Sequence, residues 1–189
     1  MPEFEQKLAA LVESHEGRLR SMYPDSAGNV TVGVGHLLAN VAVASDLPFY
    51  HVAPGQPHDR TRATRQQICA GWAFVKNNHK LYPALELSDE DIDKLRDADL
   101  ASASTVVRHF FPAAIPDPVA VALGDMAFNL GSFHKFPKLV AAVERSDWQQ
   151  AASECERRGI SHRRNEDTRQ LFLIAMEGSP ESEPGALAT

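Results

Sequence analysis

Residues 16–36 read EGRLRSMYPDSAGNVTVGVGH. Two acids, Glu16 and Asp25, bracket a polar turn, after which Val30, Val32 and Val34 alternate with Asn29, Thr31, Gly33 and Gly35. The PDSAGN segment supplies turn chemistry, and the alternation after it has the period of a half-buried strand. A hairpin is therefore expected over residues 24–36. Upstream, Phe4, Leu8, Leu11, Val12 and His15 share one stripe of a helix from about residue 3 to 16. Gly17 follows where a left-handed helix cap is wanted.

Beyond the hairpin the chain reads as helical. Residues 45–62, rich in Pro and His, are expected to form a long loop, and residues 64–78 a helix carrying Ile68, Trp72 and Val75. Ser88 and Asp91 have capping-box-like spacing at the head of a long helix. Asp117-Pro118 opens a helix that is apolar almost all round to Leu130 and is stopped by Gly131, so it belongs at the centre of a helical lobe. Helices are further expected at about 137–145, 147–158 and 165–177. The tail 179–189 has few apolar groups and two prolines, so disorder is expected there. The fold class is α+β, mostly helical, with one small sheet near the amino end and six or seven helices. A single domain over 1–178 is expected, with a loop and helix inserted at about 45–80.

The 189 residues are 43% hydrophobic and 23% charged, ordinary values for a globular chain able to bury a sizeable core. A net charge of -6 argues against nucleic-acid partners held by phosphate contacts. No apolar run is long enough to span a bilayer, and acids stand where a secretory signal carries basic residues. Synthesis in the cytoplasm without a signal peptide and no membrane insertion are expected. Cys69 and Cys155 lie outside any metal-ligand spacing and are expected to be free thiols; no metal or organic cofactor is implied.

The chemistry concentrates in the opening stretch. Glu16 falls at the carboxyl end of its helix and borders the apolar stripe, and both factors disfavour its ionised form. Asp25, in a polar turn, should stay ionised. Two carboxyls with environments pushed apart suit the cleavage of a glycosidic bond. Thr31 shares a strand face with Gly33 and Gly35, a face bare enough for a polymer to approach closely. Asp99 lies in the middle of the apolar stripe of the helix that starts at Ser88, where a carboxylate needs a partner. His36 is the candidate partner.

Glu16-Gly17, Arg18-Leu19, Tyr23, Asp25, Gly28, Thr31 and Gly33-x-Gly35-His36 resemble the catalytic signature of phage-type lysozymes, glycoside hydrolase family 24. DMAFNLGSFHKFPKLVAAVERSDWQQAA, residues 125–152, is similar to that family's buried helix and the helices after it, and HRRNEDTRQLF, residues 162–172, to its closing helix. The resemblance implies a lysozyme-like fold and a muramidase. Glu16 would protonate the leaving oxygen while Asp25 and Thr31 position water. It implies that Leu37, Phe128 and Asn129 touch substrate. His36, Asp99 and Arg164 would support the site, the arginine by pairing with the acid.

Peptidoglycan glycan strands are the implied partner, acted on in the periplasm by a monomer. Two settings fit: a phage endolysin released by a holin, or an antibacterial effector exported by a type VI-type system, with an immunity protein in its producer. The acidity and the longer 39–87 segment tilt towards the effector. An inactive module that only binds cell wall is the alternative.

Overall fold

The computed structural model describes residues 3–52 and 61–177. The expected disordered tail and residues 53–60 of the expected Pro/His loop lie outside the described residues. The chain divides into two compact units, one built from residues 9–101 and the other from the two flanking segments.

The sheet unit begins inside helix α1 (Glu3–Glu16), which ends as expected at Gly17. Gly17 adopts φ 73°, and its N–H donates to the Glu13 carbonyl at 2.9 Å. Strands β1 (Leu19–Pro24), β2 (Val30–Gly33), β3 (His36–Leu37), β4 (Tyr50–His51) and β5 (Tyr82–Glu86) form one antiparallel sheet in the order β3-β2-β1-β5-β4. Register places Tyr23 opposite Thr31 and Val32 opposite His36. The sheet is thus wider than the expected hairpin. Pro83 breaks the strand signal of β5, and two-residue β4 is too short to show any period.

Helix α2 (Val41–Ser45) was also hidden, because it is a single short turn nucleated by Asn40, whose side chain accepts from the N–H groups of Ala42 and Val43. Helix α3 (Arg65–Asn78) starts at a capping box between Thr64 and Gln67 and packs on α2 and on the sheet. Trp72 donates its indole N–H to the Leu38 carbonyl at 2.9 Å. Helix α4 (Asp89–Phe110) is capped by the Ser88 hydroxyl, which accepts from Asp91 N–H at 3.1 Å.

The helical unit is arranged around α5 (Asp117–Leu130), which is stopped by left-handed Gly131. Around it lie α6 (Pro137–Glu144), α7 (Trp148–Glu154) and α8 (His162–Glu177). Phe111, Leu123, Met126, Phe133, Leu139 and Phe172 are all buried there. Each contributes about 1.5–3 kcal/mol relative to an exposed side chain. Leu8, from the first segment, packs onto Gly124, where a methyl group would stand 2.6 Å from its Cδ2. Helix α7 stops short of residue 158, and α8 starts ahead of 165, where the Ser161 hydroxyl accepts from Arg164 N–H at 3.2 Å.

Candidate active site

Glu16 is the last residue of α1 and is half-buried. Its carboxylate lies against the backbone of Gly35: an added Cβ there would stand 3.0 Å from Oε2. An added Cβ on Gly33 would stand 3.2 Å from Cγ2 of Ile92. These contacts correct the expectation of a bare, open strand face. All four residues of β2 are buried, and Thr31 is only 4% exposed. The glycines leave room for Ile92 and for the Glu16 carboxylate rather than for an outside polymer. The Thr31 hydroxyl donates to the Tyr23 carbonyl at 3.0 Å.

Asp25 sits at the first position of the turn that joins β1 to β2. Its Oδ1 accepts from the N–H groups of Ala27 and Asn29, each at 2.8 Å, and its Oδ2 from the Asn29 side-chain amide at 3.0 Å. Partial burial pushes this carboxyl upward, but hydrogen bonds from Asn29, Ala27 and Gly28 outweigh it and hold the group below its ordinary value. Asp25 is thus both the turn former and a carboxylate whose ionised form the turn favours.

The acid end of α1 is framed by ion pairs. Glu13, one turn before Glu16, takes Arg96 at 3.2 Å and Arg18 at 3.5 Å, and both arginines reach Asp93 at 3.0 Å. These pairs tie α1 and the start of β1 to α4. His36 Nδ1 lies 2.8 Å from Asp99 Oδ2, so the histidine and the stripe carboxylate do meet. Their side chains are 20% and 30% exposed, which places the pair at the edge of the core rather than inside it. Leu37, next on β3, is half exposed.

Phe128, Asn129 and Arg164 belong to the helical unit. The first two are half-buried in the last turn of α5. Within its unit Arg164 grips Asp125, with Nη2 at 2.7 Å and Nε at 3.0 Å from Oδ1. The other oxygen, Oδ2, takes Arg157 Nη2 at 2.9 Å, and that same nitrogen donates to the Thr168 hydroxyl at 2.7 Å. Burial drives the Asp125 carboxyl upward, yet the guanidiniums of Arg164 and Arg157 outweigh it and hold the group ionised, below its ordinary range. Sequence reading missed this cluster. The signal was present in Asp125 itself, an acid inside a helix apolar all round, which requires a buried cation.

Both cysteines are free, and burial raises the Cys155 thiol to about 11. Among the described residues no group of three or more His, Cys, Asp or Glu side chains is gathered to hold a metal ion, and no helix is long and apolar enough to cross a membrane.

The chain is similar to known proteins in sequence and in fold. A probable T4-type lysozyme 2 of Dictyostelium discoideum is 25% identical over 154 residues, covering 78% of this chain and 80% of the relative. The muramidase domain of SpmX from Asticaccaulis excentricus superposes with a TM-score of 0.57 at 16% identity, over 92% of this chain and 99% of that one. A point variant of P22 lysozyme superposes at 0.56 with 17% identity, over 88% and 95%. At such identities the two structures speak for the fold, which is lysozyme-like. The phage lysozyme family model matches residues 13–166, from the frame of Glu13 through the hairpin to the start of α8. By that match the chain belongs to the phage lysozyme family.

Proposed function

We propose that this protein is a muramidase that hydrolyses the β-1,4 bond between N-acetylmuramic acid and N-acetylglucosamine in peptidoglycan. Family membership supports the coarser class, a peptidoglycan hydrolase of muramidase type. The finer reading is carried by one observation: a glutamate at a helix end, seated against a glycine, shares its unit with an aspartate whose oxygens are fixed by turn donors. In this reading Glu16 protonates the leaving glycosidic oxygen. Asp25, kept ionised by its turn, draws a proton from the attacking water. Thr31 gives its own proton to the Tyr23 carbonyl, so its oxygen offers lone pairs to the water's second O–H. In the same reading Leu37 contacts glycan and the His36–Asp99 pair supports the sheet.

The test is clearing of outer-membrane-permeabilised cells by purified protein. Glu16→Gln should lower the rate by ~10²–10⁴-fold with the fold intact, since it removes the proton donor. A rate within about twofold of wild type would remove Glu16 from the mechanism and return the chain to the cell-wall-binding alternative.

The setting we infer is an exported antibacterial effector with an immunity protein, rather than a holin-released endolysin. The charge of -6 supports it, because a negative protein is repelled by anionic wall and gains nothing from free diffusion onto it. Lysis after direction to the periplasm, suppressed by a product of the producing genome, is the expected outcome. Lysis that no such product suppresses would overturn the effector reading.

A further inference from the structure

The C-terminal end of α3 meets the Asp25 turn at two points. Lys76 Nζ donates to the Gly28 carbonyl at 3.1 Å. The Gly28 α-carbon abuts the His79 imidazole so closely that a methyl group there would stand 3.0 Å from Cε1 and 3.2 Å from Nδ1. Both residues at that contact are left-handed, Gly28 with φ 77° and His79 with φ 51°. Glycine takes this conformation freely. A residue with a side chain does so at a cost, and such a conformation persists where its surroundings hold it. His79 is held on one side by its N–H, which caps the Val75 carbonyl at 2.9 Å.

What these two residues grip is the set of donors around Asp25. Gly28 N–H donates to the Asp25 carbonyl at 3.0 Å, and its neighbours Ala27 and Asn29 supply the two N–H groups on Oδ1. A displaced Gly28 would carry both donors with it. We propose that Lys76 and His79 are positioning residues, which fix the 25–29 turn and so aim the Asp25 carboxylate at the reacting water. The proposal rests on the muramidase reading and deepens it, and it gives the inserted helix a part in the reaction.

Two variants of the full chain test it. His79→Gly removes the ring while suiting the left-handed backbone, so the melting temperature should hold or rise. Lys76→Met keeps the stem and loses the donor. In each, kcat should fall about 10-fold with KM within about twofold, because aim is lost rather than binding. Lys76→Arg, which restores a donor, should recover most of the rate. Wild-type kcat in both variants beside an inactive Asp25→Asn overturns this proposal alone. So does a kcat loss that tracks a loss of melting temperature, or a change confined to KM. Wild-type kcat in Asp25→Asn would overturn the assignment of Asp25 itself, and this proposal with it.

Discussion

The α-carbon of Gly35 faces the Glu16 carboxylate so closely that a methyl group there would stand 3.0 Å from Oε2 and 3.2 Å from Cδ. Gly35 also adopts φ 71°, so alanine is strained in backbone as well as in space. Gly35→Ala should destabilise by about 1–2 kcal/mol through the backbone alone and should also push the carboxylate out of place. A loss of activity on the order of 10²-fold is expected from that displacement. Gly159→Ala is the control, with φ 78° and nothing within 4 Å of the new methyl. It should show the stability loss in thermal melting without the loss in the clearing assay.

His36 and Asp99 touch at 2.8 Å, but both side chains keep access to water. Screening reduces such a pair to about 1 kcal/mol or less. His36→Ala and Asp99→Ala should each destabilise, and the double variant should cost less than their sum. Urea denaturation of the four proteins of the cycle checks this. Strict additivity would mean that the contact carries no coupling.

Asp125 has the opposite character, because it is fully buried between two guanidiniums. Its carboxyl is depressed in the folded state, so it contributes stability above its unfolded value of about 3.9. That stability drains away as pH falls through the lower folded value. Asp125→Asn should destabilise at neutral pH by ~3–5 kcal/mol, since it strands two buried cations. The gap between variant and wild type should narrow below about pH 4. Denaturation curves across pH test the sign, and a gap that widens in acid would contradict it.

Stereochemistry tests the roles given to Asp25 and Thr31. A retaining enzyme places its carboxyls ~5–5.5 Å apart for direct attack, while an inverting one leaves ~6.5–9.5 Å for a water. A threonine whose oxygen is left to accept from water suits the second arrangement. The first product from the β-linked glycan should therefore be the α-anomer. Proton NMR of fresh product, before mutarotation, reads it directly, and a β-anomer would assign Asp25 to nucleophilic attack instead.

Much of this was legible in the sequence because local signals agreed with one another. Gly17 and Gly131 end their helices where glycine was expected to, and Thr64, Ser88 and Asp147 begin theirs with side-chain caps. The hairpin was readable because its turn and alternation are both local. What escaped depends on partners far along the chain. Strand β5 carries a proline and is a strand only because β1 and β4 pair with it. Thr31 looked open because the pattern shows glycines but not Ile92 or Glu16, which fill the space beside them. Arg157 opens a basic run, residues 157–164, in which nothing local marks it as buried. It is 2% exposed because Asp125 needs it.

The packing of Leu8 against Gly124 sets an order of events during synthesis. Both residues belong to the helical unit, yet the whole of the sheet unit lies between them along the chain. At about 5–20 residues per second, the segment that carries β1 to β5 leaves the ribosome seconds before α5 does. The first two turns of α1 must wait through that interval with their apolar stripe uncovered. Helix α1, which ends in Glu16, is thus made ahead of the sheet and fully seated only after it, so its seating waits on a segment far along the chain.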